Sequence, residues 1–212
     1  MKKIIGLFFI IFLFQSYTYA QLGGVTSIVS VDSGGTQINQ TATHPSISID
    51  GRYIAFSSHA TNLIANDTNG YTDIFVHDNL TGETTIVSVA SDGTQSDFNS
   101  GYSSISDDGR FIAFMSIGAN LVANDTNNAG DVFVHDRQTG QTTRISVASD
   151  GTQSDGLSDF PIISGDGRFI SFESNATNLV ANDTNGFFDI FVHDRQTGQT
   201  TRVSVASDGT QA

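Results

Sequence analysis

An all-β repeat fold is what this sequence predicts, and three observations carry that expectation. Asp50-Gly51-Arg52 recurs as Asp108-Gly109-Arg110 and Asp166-Gly167-Arg168, so one unit runs three times at a strict period of 58 residues. Within each unit, apolar stretches of strand length alternate with clusters of Gly, Asn, Asp, Ser and Thr. Beyond residue 20, no segment shows the 3.6-residue period of an amphipathic helix. A fixed period of this length marks an architecture whose units bury their apolar faces against their neighbours.

The elements follow in chain order. Lys2 and Lys3 precede an apolar run over 4–14, and Thr18-Tyr19-Ala20 ends in a small residue, the pattern of a signal peptide over residues 1–20. The run is too short to cross a bilayer, so the mature chain is expected to be 21–212, exported to the periplasm, the cell surface or beyond. Residues 25–31, followed by Thr36-Gln37, match Thr143 to Val147 with Thr152-Gln153 in register, which predicts an orphan outer strand. The repeats then occupy 38–95, 96–153 and 154–211.

In the first repeat the strands are expected at 44–49, 52–57, 73–77 and 84–90. Asp50-Gly51 reads as a tight hairpin turn in which both central residues can take positive φ. Asp78-Asn79-Leu80-Thr81-Gly82 is a second short turn with an Asx start. Tyr53-Ile54-Ala55-Phe56 and Ile74-Phe75-Val76 are continuous apolar runs, as in strands covered on both faces. In the fourth strand Thr143, Ile145 and Val147 alternate with Arg144, Ser146 and Ala148, so one face should be buried and the other partly wet.

Four-stranded antiparallel units in series describe the blades of a β-propeller. A β-solenoid has shorter coils and lacks the paired hairpin turns. Propellers close from about four blades upward, so three blades imply an open arc, half of a six-bladed ring completed by self-association, or a fragment of a longer array. The extra strand and the end of the sequence within a linker favour the fragment.

The residues also carry a family resemblance. The segment Pro45-Ser46-Ile47-Ser48-Ile49-Asp50-Gly51-Arg52-Tyr53-Ile54-Ala55-Phe56 resembles the P-x-W-S-P-D-G-[KR]-x-I-A-F signature of TolB-like propeller repeats. Later copies keep Ser106, Asp108, Gly109, Arg110, Ile112, Ala113 and Phe114, then Ser164, Asp166, Gly167, Arg168, Ile170 and Phe172. The usual Trp is Ile47, Ile105 or Ile163, and the Pro before Asp-Gly is Ile49, Asp107 or Gly165. The resemblance implies a platform for protein or glycan contacts in the bacterial envelope, without the role of TolB itself.

Charge and composition exclude several classes. The formal charge is −13, and the only lysines lie in the leader. Such a surface repels nucleic acid and anionic membranes. With no cysteine, stability must come from burial.

Function is expected on the face that carries the long loops, 58–72 and 91–101 with their counterparts. In the first of these loops Asp67, Asn69 and Asp73 recur as Asp125, Asn127 and Asp131, and as Asp183, Asn185 and Asp189. Alternating oxygen side chains beside a glycine turn resemble part of a calcium loop. The leading Asp of such a loop is Ala65, Ala123 or Ala181, and the competing reading is a turn held by local hydrogen bonds. His77, His135 and His193 stand on successive blades, too far apart to share a zinc ion, and read as partly exposed strand residues.

No nucleophile elbow, zinc-protease helix, phosphate loop or cysteine nucleophile appears. The prominent carboxylates recur in every copy, whereas a catalytic pair needs an asymmetric constellation. The leading expectation is therefore a non-enzymatic exported module that binds protein or carbohydrate. The alternatives are the accessory propeller of a larger enzyme, such as a serine peptidase, and a calcium-stabilised surface or adhesion protein.

Overall fold

The computed structural model describes residues 26–211, so the leader over 1–20 lies outside the described residues. The chain forms three four-stranded antiparallel sheets, each ordered as in the sequence. Blade 1 comprises β1 (Ala42–Ile47), β2 (Tyr53–Ser58), β3 (Asp73–Asp78) and β4 (Thr84–Ile86). Blade 2 comprises β5 (Ser100–Ile105), β6 (Phe111–Ser116), β7 (Asp131–Asp136) and β8 (Gln141–Arg144). Blade 3 comprises β9 (Ser158–Ile163), β10 (Phe169–Ser174), β11 (Asp189–Asp194) and β12 (Gln199–Arg202). The first strands touch one another and form the inner edge of an open arc, with the fourth strands outermost.

Three local expectations need correction. The fourth strands end at Ile86, Arg144 and Arg202, well short of the predicted residue 90 and its counterparts. Ser88 draws the chain out of the ladder, because its hydroxyl donates to Asp73 Oδ1 at 2.6 Å and accepts from the Ile74 N–H at 3.1 Å. The predicted alternation fails for the same reason: Thr143 is exposed, while the Arg144 side chain is only 11% exposed. Finally, Asp50-Gly51 is not a two-residue turn. Gly51 alone has positive φ, at 73°, and its N–H closes a turn onto Ser48 O at 2.9 Å. Asp50 Oδ1 holds that turn by accepting from the Ser48 hydroxyl at 2.6 Å and the Arg52 N–H at 3.0 Å.

No strand forms over 26–30; Val31 makes a single bridge to Gln37. An outer strand needs a third strand to pair with, and none precedes it among the described residues. The segment behaves instead as an inter-blade linker. Thr84 Oγ1 donates to Val31 O at 2.6 Å, and the Thr84 N–H donates to Ser33 Oγ at 3.0 Å. Thr142 uses Val89 and Ser91 in the same way, and Thr200 uses Val147 and Ser149.

The core lies mainly between blades. Ala55, Ile74, Val76 and Val87 of blade 1 meet Ile105, Ile112, Phe114 and Phe133 of blade 2. Ala113, Val132, Val134 and Ile145 meet the matching residues of blade 3. On blade 3 the equivalent face is bare. Ile74 and Val132 are fully buried, whereas Ile190 is 37% exposed; Val87 and Ile145 are 2% exposed, whereas Val203 is 49% exposed.

A repeated clasp joins successive blades. Two guanidinium groups lie over the Tyr53 ring, those of Arg52 and, from blade 2, Arg137, at 4.7 and 4.4 Å from its centroid. Gly109 of blade 2 presses on the same ring, so closely that an added Cβ would stand 2.1 Å from Tyr53 Cδ2. Gly167 and Arg195 treat Phe111 alike. Arg52, Arg110 and Arg168 are fixed by paired hydrogen bonds to Asp78, Asp136 and Asp194 at 2.7–2.9 Å. Their guanidinium groups hold these carboxyls far below the usual carboxylate range.

Candidate functional site

The long-loop acidic residues form one cluster in each blade. In blade 2, Asp131 is fully buried. Its Oδ1 accepts from Ser146 at 2.5 Å and Ser154 at 2.9 Å, and its Oδ2 from Asn127 Nδ2 and Gln153 Nε2, both at 3.1 Å. Gln153 Nε2 also reaches Asp125 Oδ1 at 2.7 Å. Arg144 then inserts Nη1 between the two acids, 3.3 Å from Asp125 and 3.6 Å from Asp131. Blade 3 repeats this with Arg202 at 3.4 Å from Asp183 and 3.6 Å from Asp189, while Asn185 Oδ1 accepts from the Phe187 N–H. A guanidinium thus stands in the middle of both clusters.

Blade 1 departs from its copies. Ile86 occupies the position of Arg144 and Arg202. Asp73 is still fully buried and accepts from Ser88 and, at 2.8 Å, from Asn69 Nδ2. Gln95 Nε2 has turned to Asn66 O at 2.6 Å and no longer serves the carboxylates. Asp67 Oδ1 is consequently buried without a hydrogen-bond partner. Burial, with Asp67 nearby, pushes the Asp73 carboxyl up to about 6. Burial raises Asp67 as well, opposed by the charge of His59.

The three strand histidines are buried at 6% exposure, not partly exposed as the sequence suggests. Each Nδ1 lies 2.9 Å from the hydroxyl of Thr84, Thr142 or Thr200. Because that hydroxyl donates its one proton to a linker carbonyl, it must accept from Nδ1–H, which sets the tautomer. Burial lowers the pKa of all three rings and keeps them neutral. They are couplers between blade and linker.

The inner edge carries a feature that the turn-and-loop reading missed. His44, Tyr102 and Phe160 each sit at a bulge in the first strand with φ of 51°, 54° and 49°. Bulky residues rarely adopt this region, and such strain concentrates at functional positions. The rings form a row across the blades, with centroids 4.5 Å apart from His44 to Tyr102 and 4.4 Å from Tyr102 to Phe160. Phe160 is 49% exposed. Beside it, Asp159 pairs across strands with Glu173, and burial, with that neighbour, raises the Asp159 carboxyl. The counterparts of these acids are Thr43 and Ser57 in blade 1 and Gly101 and Met115 in blade 2. Aligning the repeats for differences, rather than identities, would have found the pair.

No protein-family model matches the chain, and no curated protein matches it. Solved structures do. The putative TolB from Agrobacterium tumefaciens matches with a TM-score of 0.54 at 20% identity, over 84% of this chain and 50% of that one. TolB from Acinetobacter baumannii matches with a TM-score of 0.49 at 19% identity, over 80% and 36%. The β-propeller domain of the Trilobed protease from Pyrococcus furiosus matches with a TM-score of 0.46 at 15% identity, over 76% and 41%. This chain spans about half the length of the first of these. The fold is a TolB-like propeller represented by three blades; at this identity the likeness speaks for fold alone.

Proposed function

We propose that the chain is an exported, non-enzymatic propeller module that binds an extended protein or glycan segment along its inner edge. The row of His44, Tyr102 and Phe160 carries this reading, since its two end rings are exposed and aromatic rings offer sequence-tolerant stacking to side chains and sugars alike. The rings lie in the half of β1, β5 and β9 that adjoins the long-loop face, where binding is expected from the sequence. The Asp159–Glu173 pair adds negative charge at one end of the row and favours a segment with a basic or hydroxyl-rich group there. A non-catalytic role fits the recurring carboxylates, which are occupied in holding turns, arginines and linkers.

The long loops themselves are largely stitched together. Asn62, Asn120 and Asn178 each donate to the carbonyl of a preceding linker glutamine at 2.8–2.9 Å. These ties anchor one end of each loop to the preceding linker. Screening the purified chain against glycan and peptide arrays tests the reading. Ligands should bind at least tenfold more weakly to Tyr102→Ala, which removes the central ring of the row, on the scale of one aromatic stacking contact. Binding indifferent to that change, or no binding at all, would contradict it.

A further inference from the structure

We propose that the junction of blades 1 and 2 holds a separate binding site on the long-loop face, for a neutral pyranose sugar. A depression of about 390 Å³ opens there, and Thr68, Tyr71, Gln95 and Asp97 are among the residues that line it. The Tyr71 ring is stacked on that of Phe98 with centroids 5.0 Å apart, and Phe98 is 42% exposed. Small-molecule sites combine apolar surface with a few placed polar groups. A pyranose has an apolar C–H face rimmed by hydroxyls that both donate and accept, so it matches aromatic rings set beside free polar atoms.

The junction of blades 2 and 3 shows that building a blade requires none of this. Thr126, Gln153 and Asp155 repeat the polar residues, but Ala129 and Gly156 stand where Tyr71 and Phe98 do. The polar atoms differ in availability as well. Asp155 accepts from the Thr177 N–H at 2.7 Å and from the Thr177 hydroxyl at 2.8 Å, so both its oxygens are occupied. Ala119 holds the place of Thr177, and Asp97 accepts only through Oδ1, from the Ala119 N–H at 2.9 Å. The Thr126 hydroxyl turns to Gln153 Oε1 at 3.4 Å, whereas the Thr68 hydroxyl has no partner among the described residues. A free acceptor and a free hydroxyl thus accompany two rings that the fold does without. The Asp97 carboxylate and a formal charge of −13 disfavour an acidic sugar, which makes the ligand a neutral one.

The site goes beyond the inner-edge reading and shares no residue with the aromatic row. Affinity for a single ring should be on the order of 1 mM, the range of a ligand with so few atoms. Saturation-transfer NMR of the purified chain with the methyl pyranosides of glucose, galactose, mannose and N-acetylglucosamine should identify at least one binder. The double variant Tyr71→Ala with Phe98→Gly copies what the next junction already carries, so it should fold, and it should weaken that sugar at least about tenfold. Asp97→Asn, which keeps Oδ1 and removes the free acceptor, should weaken it by itself at least about threefold. No binding of any of these sugars at about 20 mM, wild-type binding by the folded double variant or by Asp97→Asn, or a methyl glucuronide preferred over the glucoside would overturn the proposal. So would loss of the sugar in Tyr102→Ala but not in the double variant, which would move it to the inner edge.

Discussion

Gly109→Ala is expected to cost about 3–5 kcal/mol of folding stability, whereas the same change at Gly51 should cost only about 1–2 kcal/mol. Both residues close the same turn with nearly the same φ, 71° and 73°, so the backbone penalty is shared. What differs is the neighbour. An alanine Cβ at 109 would lie 2.1 Å from Tyr53 Cδ2, and Tyr53 has little room to retreat because Arg52 and Arg137 lie over it. At Gly51 the nearest atom is Ile47 Cδ1 at 3.9 Å. Urea unfolding of the two variants measures the difference, which is the cost of a clash at the inter-blade contact. Equal losses would mean that blades 1 and 2 do not stack as described.

The second large effect is expected at Asp131. Asp131→Ala should destabilise by about 3–5 kcal/mol, because it removes one of the two acids that balance the Arg144 side chain, 11% exposed, and takes the buried carboxylate acceptor from Ser146 and Ser154. Asp73→Asn, at the equivalent position of blade 1, should change stability by no more than about 1 kcal/mol. No arginine is stranded there, and a buried negative charge beside Asp67 is removed. Denaturant unfolding of both variants checks the contrast. A similar large loss at Asp73 would show that its hydrogen bonds from Ser88 and Asn69, rather than an arginine partner, set the cost of losing the carboxylate.

The architecture was legible in the sequence because repetition multiplies weak local signals by three. Strands, turns and the absence of helix follow from periodicity and glycine placement, and the central strands lie where their continuous apolar runs put them. The outer strands were less legible. Alternation at Thr143, Arg144 and Ile145 looks like a half-wet strand, but a single serine hydroxyl bonded to Asp131 ends the ladder and turns Arg144 inward. Likewise, His77 beside a turn reads as exposed until the linker of the preceding unit, some fifty residues earlier in the chain, covers it.

The candidate sites were hidden for a related reason. Searching for what recurs identifies the blade-building residues, Asp50, Gly109, His135 and their counterparts. What distinguishes one blade from another, Ile86 in place of arginine or Asp159 with Glu173, emerges only when the copies are compared for their differences. The strained rings of His44, Tyr102 and Phe160 share a position but not a residue type, so an identity-based alignment passes over them.

Three stacked blades form an open arc, and the apolar face of its last blade, with Ile190 37% and Val203 49% exposed, is expected to take up a blade of a second copy. Phe169, at 39% exposed, lacks the second guanidinium that lies over Tyr53 and Phe111, and Phe187, at 72% exposed, lies on the same blade. Light scattering of the purified chain over a range of concentrations tests this most directly. A molar mass above that of one chain, rising with concentration, is expected. A single-chain mass at every concentration, with one cooperative unfolding transition, would contradict it.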